Sequence, residues 1–327
     1  MILVTGGAGF IGSNLVAALA ERGEDVAVCD TLGHGDKWRN LAKHELAALV
    51  APEQCGDWLD GRAKSVRAVF HLGAISSTTE TDADLFAEHN VRRSLALWEW
   101  CAGARVPFIY ASSAATYGDG SAGFDDDGTA AALAKLRPLN AYGWSKHMVD
   151  RRIARDAAAG RPTPPQWAGL KFFNVFGPNE YHKGDMRSIV AKNFAAARDG
   201  QPIRLFRSHR NDYGDGGQMR DFIYVRDCVD VMLWLLEHPK VSGLFNLGTG
   251  KARSFADLAQ ALFAALGRAP GIDYVDMPEG LRARYQYFTQ ADMGRLRRAG
   301  YARPFASMED GVADYVRRYL DAGDPYR

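Results

Sequence analysis

No stretch of eighteen consecutive apolar residues occurs in the chain, so no segment reads as a transmembrane helix. Cysteine is scarce. Cys29, Cys55, Cys101 and Cys228 are widely separated and show no CxxC spacing, which argues against a zinc cluster or a disulfide framework and fits a reducing compartment. An excess of charge of either sign is also missing. Forty basic residues against thirty-nine acidic ones leave a formal charge of +1, so no field gathers nucleic acid or an anionic membrane non-specifically. Any anion must be met by a local site. The first residues, Ile2-Leu3-Val4, are strand-like rather than a basic run followed by an apolar stretch, and a cytoplasmic protein is expected. No internal repeat is evident. No metal site is expected either: Asp125-Asp126-Asp127 lacks a His or carboxylate at ligand spacing and reads as a solvated turn.

What is present is a chain of 327 residues, 47% hydrophobic and 24% charged, long enough for one large domain or two intimately joined lobes. Short apolar runs alternate with helical segments. The runs lie at Ile2 to Thr5, Val26 to Asp30, Val66 to His71, Phe108 to Ser112, Leu170 to Phe173 and Leu244 to Leu247. This is the βαβ pattern of an α/β fold, a Rossmann-type doubly wound parallel sheet. Helices are predicted over Ile11 to Arg22, Phe255 to Leu266 and Met308 to Leu320. The stretches Gly120 to Arg137 and Ser208 to Gln218 read as excursions from the sheet. Residues 1–175 and about 221–252 are assigned to a dinucleotide-binding domain, and about 176–220 with 253–327 to a smaller, discontinuous substrate lobe.

Gly6, Gly9 and Gly12 stand at GxxGxxG spacing between the first strand and the first helix. There a strand turns sharply into a helix whose free N–H groups and positive dipole end can face a pyrophosphate, and side chains would block the approach. Asp30, at the end of the second strand, suits the adenosine ribose hydroxyls and favours NAD, while nearby Lys37 could offset a 2′-phosphate. Residue chemistry alone leaves NAD and NADP open.

Tyr142 and Lys146 are four apart, on one face of a helix, and an ammonium beside a phenol is expected to lower the phenol's pKa into a usable range. The same ammonium can hold the nicotinamide ribose. Ser112 and Ser113 fall at the C-terminal end of what reads as the fourth strand, where open α/β sheets bind ligands. Phe70-His71-Leu72-Gly73-Ala74, read as the third strand end, offers a second close approach for the cofactor.

The glycine turn, the Ser113 segment and the Tyr142/Lys146 pair together resemble the extended short-chain dehydrogenase/reductase superfamily along the whole chain. More narrowly, several runs are similar to the ADP-L-glycero-D-manno-heptose 6-epimerases. They are Gly73 to Glu80, Ala111 to Gly118, Phe173 to Pro178, His182-Lys183-Gly184 and Arg284 to Asp292. The resemblance implies an isomerase that oxidises carbon six of an ADP-linked heptose to a transient ketone and reduces it from the other face, with no net redox change, in lipopolysaccharide core precursor synthesis. It implies Tyr142 and Lys183 as proton-handling groups on two sides of that carbon, with Ser113 and Lys146 assisting. By itself Lys183 reads as an ordinary loop lysine.

The resemblance also implies cofactor contacts at Phe10, Ile11, Asp30, Thr31, Lys37, Leu72, Gly73, Ala74, Ile75, Ser76, Asn90, Lys146, Val175 and Lys183. Substrate contacts are implied at Ser113, Asn174, Asp185, Lys192, Phe206, Arg207, Ser208, His209, Arg220 and Tyr285. It tilts the cofactor toward NADP, with NAD as the alternative, and implies self-association as a homopentamer; the charge balance and the lack of long apolar runs lead to no nucleic-acid or membrane partner being expected. Lys43 to Gly61 departs from the family pattern, Asp185 replaces a usual serine, and the Ser208 to Gln218 loop is longer. A UDP-hexose 4-epimerase would share the fold but has no need of Lys183. A sugar dehydratase would require an Asp-Glu pair where Ala114-Ala115-Thr116 stands. A non-catalytic cofactor sensor tends to lose the acid/base pair that Tyr142 and Lys146 retain.

Overall fold

The computed structural model describes residues 1–282 and 285–327, so Arg284 of the family-like segment lies outside the described residues. Among the described residues, twelve strands form a large parallel sheet and two small ones, joined by helices. The large sheet contains β1 (Ile2–Thr5), β2 (Val26–Cys29), β3 (Ala48–Val50), β4 (Ala68–His71), β5 (Phe108–Ser113), β6 (Trp167–Phe172) and β10 (Gly243–Leu247). Its order is β10-β6-β5-β4-β1-β2-β3, parallel throughout, with the chain reversing direction across the sheet at the β1/β4 boundary. This is the doubly wound sheet expected from the alternating pattern, and such a boundary is where an open α/β sheet forms its ligand crevice.

Burial of the strands on both faces explains their near-continuous apolar runs. Along β1, Ile2 and Val4 point into one core with Leu15, Val16 and Leu19 of the helix Phe10–Glu21. Leu3 points into the opposite core with Val69, Trp98, Cys101 and Ile153. A third core lies apart from these and joins Phe176, Val190, Phe194, Leu205, Phe222, Leu258, Leu262 and Tyr315. It packs around the three-stranded sheet β11-β9-β7 and the pair β12-β8, where β7 is Asn174–Phe176, β8 Ile203–Phe206, β9 Met219–Tyr224, β11 Ala252–Ser254 and β12 Ile272–Val275.

Three expectations need correction. β3 escapes the sequence pattern: it is a three-residue edge strand paired only with β2, and its Leu49 is exposed, so it carries no alternation to read. The strand ending at Ser113 is therefore the fifth and the one ending at His71 the fourth. The Asp125 to Asp127 turn is not fully solvated, because Asp126 is buried and accepts the Asn246 N–H at 2.7 Å. Its carboxyl is pushed up to about 6 by desolvation. The last predicted helix runs only from Met308 to Tyr315 before widening into a π-helical turn at Val316–Leu320.

Candidate active site

A cleft of about 530 Å3 opens over the C-terminal ends of β1, β4 and β5 and is closed on the far side by the segment after β7. The glycine turn forms its floor. Gly6 adopts φ +68°, and a Cβ there would fall 2.5 Å from the Gly73 nitrogen; a Cβ on Gly12 would collide with the Gly6 carbonyl oxygen. The helix Phe10–Glu21 then starts at Gly9 with no side-chain cap, leaving its first N–H groups and its dipole for a ligand anion. These features fit a dinucleotide pyrophosphate.

At one end of the cleft the Asp30 carboxylate is fully engaged. Oδ2 accepts the Ala8 N–H at 2.9 Å, while Oδ1 accepts the Thr31 N–H and the Lys37 ammonium, each at 2.7 Å. Lys37 also donates to the Thr31 carbonyl. Thus Asp30 and Lys37 line the cleft together as an ion pair, and Thr31 shapes that pair from outside the lining.

Leu72, Gly73, Ala74 and Ser76, which follow β4, line the next part of the wall. Ile75 and Asn90 do not. Asn90 is fully buried, accepting the Ile75 N–H and donating to the Ile75 carbonyl and to Ser145 Oγ, so it braces the loop rather than presenting an amide to a ligand.

The reactive centre is assembled by the helix Ala141–Ala158, capped where Asn140 Oδ1 accepts the Gly143 N–H at 2.8 Å. Tyr142 sits in its first turn and Lys146 one turn later, both facing the cleft. Lys146 donates to the Ala111 carbonyl at 2.8 Å, and burial pushes its ammonium down to about 8, against the opposing pull of Asp150. The expected depression of the phenol is not found. Desolvation dominates and holds the Tyr142 hydroxyl above its ordinary pKa, with the Ser113 hydroxyl working the other way. Ser113 Oγ accepts the Ala115 N–H at 3.1 Å as a cap, which leaves its proton free to donate into the cleft. Ser112 is a supporting residue instead, donating to Asp150 at 2.7 Å.

The opposite wall comes from the turn Tyr181–Met186. Gly184 there has φ +53°, a value that disfavours any side chain and sets the bend after Lys183. Lys183 faces the cleft with its ammonium 5.1 Å over the Phe10 ring, and burial lowers its pKa while Glu180 opposes. Glu180 is itself fully buried, accepting from the Gly177 and Ser188 N–H groups and the Ser188 hydroxyl, which ties the turn to the helix Ile189–Arg198. Asn174, Val175 and Lys192 also line this side, whereas Asp185 is exposed outside it.

Phe206, Arg207, Ser208, His209, Arg220 and Tyr285 are brought together, beside the cleft rather than in its lining. The Arg220 guanidinium lies 5.2 Å over the Tyr285 ring and 5.6 Å over Phe255, itself a lining residue, and has no carboxylate partner among the described residues. Phe206 meets Tyr285 edge-on at 6.3 Å. Ser208 Oγ and the His209 N–H are spent within their neighbourhood, on the Arg210 carbonyl and the Tyr287 hydroxyl. The segment that carries Tyr285 is held in place through Asp221, whose carboxylate accepts the Ala291, Thr249 and Gly250 N–H groups. Sequence reasoning missed His182, Arg187, Thr78 and Met186, which also line the cleft. His182 was legible only as the neighbour of Lys183.

A doubly wound sheet with an uncapped glycine turn at its crevice, and a tyrosine and lysine one helical turn apart facing it, defines a nicotinamide-dependent enzyme of the short-chain dehydrogenase/reductase architecture. Residues 2–248 match the NAD dependent epimerase/dehydratase family. The ADP-L-glycero-D-manno-heptose-6-epimerase of Nitratidesulfovibrio vulgaris Hildenborough is 53% identical, with 100% of each chain covered. The Helicobacter pylori enzyme of the same name superposes with a TM-score of 0.79 at 28% identity, over 97% of this chain and 95% of that one. A Thermus thermophilus UDP-glucose 4-epimerase in complex with NAD gives 0.76 at 26% identity, over 96% and 97%. The chain belongs to the NAD dependent epimerase/dehydratase family, and within it to the ADP-L-glycero-D-manno-heptose-6-epimerases.

Proposed function

We propose that the chain converts ADP-D-glycero-D-manno-heptose to ADP-L-glycero-D-manno-heptose, holding NADP throughout. The observation that carries this reading is the delivery of two proton-handling groups, the Tyr142 phenol and the Lys183 amine, into one cleft from two different elements. An epimerase must manage the proton of one hydroxyl while the carbon beneath it is approached from either face, which a single fixed base serves on one side only.

The glycine turn, the uncapped helix start, Asp30 and Lys37 would hold the dinucleotide, and Lys146 its nicotinamide ribose. When bound, the nicotinamide supplies a reversible hydride acceptor and donor. Ser113 orients the reacting hydroxyl, and Tyr142 and Lys183 exchange its proton on the two sides. Burial aids Lys183 by favouring the neutral amine, a competent base. Arg220, stacked on two aromatic rings and without a carboxylate partner among the described residues, suits the substrate diphosphate, with Phe206 and Tyr285 beside it. Lys37 supports NADP over NAD, because an ammonium already seated on Asp30 offsets the charge that would repel a 2′-phosphate. On this reading residues 1–175 and 221–252 handle the cofactor and the remainder handles the sugar, in a self-associating cytoplasmic enzyme that supplies lipopolysaccharide precursor.

The test is to incubate the purified protein with ADP-D-glycero-D-manno-heptose and follow the epimer by NMR. Turnover of UDP-galactose without turnover of the heptose would overturn the assignment. Mass analysis of the cofactor released on denaturation decides NADP against NAD.

A further inference from the structure

Two loops that are far apart in sequence present cations to the cleft: Asp36–Asn40 carries Lys37, and Tyr181–Met186 carries Lys183. Neither belongs to the large sheet, and the first is preceded by Gly33 at φ +65° and Gly35 at φ +87°, so the backbone alone does not fix it. The loops touch through Asn40, whose amide donates to the Ala8 and Asn179 carbonyls at 2.9 and 3.2 Å and meets His182 Nδ1 at 3.3 Å.

A third segment, Asp324–Arg327, lies across both. On the first loop's side, the Arg39 guanidinium sits 4.6 Å over the Tyr326 ring, and Lys43 just beyond donates to the Tyr326 carbonyl at 2.5 Å. On the second loop's side, Tyr181 donates its hydroxyl to the Pro325 carbonyl at 2.7 Å and meets the Tyr326 ring edge-on at 5.3 Å. The Arg327 N–H donates to Asn179 Oδ1 at 3.0 Å. The Lys43–Asp324 ion pair at the rim is exposed and contributes little, whereas Tyr326 is 8% exposed and its ring sits between a cation and an aromatic.

We propose that Asp324–Arg327 is a positioning strap, in which the Tyr326 ring keeps the Lys37 loop and the Lys183 loop in register, so that cofactor affinity and turnover both depend on it. The turnover half rests on the function proposed above, and the affinity half only on its placement of a dinucleotide in this cleft. The strap touches no reacting atom and acts only through the two loops.

The experiment compares Tyr326→Ala and Tyr326→Phe in the full chain, titrating NADPH and NADH by fluorescence and measuring kcat and sugar KM. Alanine is expected to weaken cofactor binding about tenfold and lower kcat about tenfold, with sugar KM nearly unchanged. Phenylalanine keeps the ring and should restore both. Wild-type affinity and kcat in the alanine variant would overturn the proposal, and so would equal damage by phenylalanine. Should Tyr326→Ala fail to fold, Tyr181→Phe, which removes only the hydroxyl that holds Pro325, is expected to weaken cofactor binding severalfold; no change there would count against the strap. If the wild-type protein binds cofactor but does not turn over the heptose, the function fails while the affinity arm still judges the strap.

Discussion

Lys171 and Asp150 form an ion pair 2.6 Å long with both side chains removed from solvent, directly beneath the reactive centre. Asp150 also accepts the Tyr110 and Ser112 hydroxyls, and Lys171 donates to Thr116 Oγ1, so every element that presents Ser113 and Lys146 is tied to this pair. Removing one partner strands a buried charge. Lys171→Met is expected to destabilise the fold by about 3–5 kcal/mol, read as a lowered urea midpoint. An Asp150→Asn/Lys171→Met double variant should recover part of that loss; equal or additive losses would contradict the coupling.

Lys146 gives opposite pH trends for binding and for stability. Its ammonium, pushed down to about 8, loses its charge as pH rises through that value, so cofactor affinity should fall on the alkaline side of pH 8. For stability the sign reverses. The folded pKa lies below the unfolded one, so this group's favourable contribution is complete above the unfolded value near ~10.4 and is lost as pH falls through about 8. The difference in urea stability between wild type and Lys146→Met, measured from pH 7 to 10, should grow in favour of the wild type as pH rises.

Tyr142→Phe and Lys183→Met each remove one proton-handling group and leave the glycines of the cofactor turn in place, although Lys183→Met also removes the ammonium over the Phe10 ring. Each is expected to lower kcat by about 10²–10⁴-fold while cofactor co-purifies at wild-type occupancy. An active Lys183→Met enzyme would remove Lys183 from the chemistry.

Lys37→Met deletes the ammonium on Asp30 and leaves that carboxylate facing the ribose. Affinity for NADPH should drop about tenfold to a hundredfold, with NADH affected far less. Parallel titrations read the selectivity directly, and an equal loss for both cofactors would argue against a phosphate role.

Gly12→Ala places a methyl against the Gly6 carbonyl oxygen. The turn must open to admit it, so the variant is expected to purify without dinucleotide and to show a lowered Tm.

By itself the sequence determined the sheet's parallel character, the glycine turn and the Tyr142/Lys146 pair, because these rest on strand-length apolar runs and on spacings of three or four residues that local backbone geometry turns into a shared face. Lys183 was legible only through likeness to a family, since nothing in its neighbourhood marks it. What the tertiary structure decided lies in long-range partnership and burial. Asn90 became a brace and not a cofactor contact because Ile75 and Ser145 consume its amide. The Tyr142 phenol sits above its ordinary pKa because desolvation outweighs its neighbours. The short edge strand β3 exists through its pairing with β2. The strap residue Tyr326 meets partners at Arg39 and Tyr181 that no spacing rule connects. Periodicity reports which face of a segment is apolar, whereas the charge state and partner of a side chain depend on what the rest of the chain packs against it.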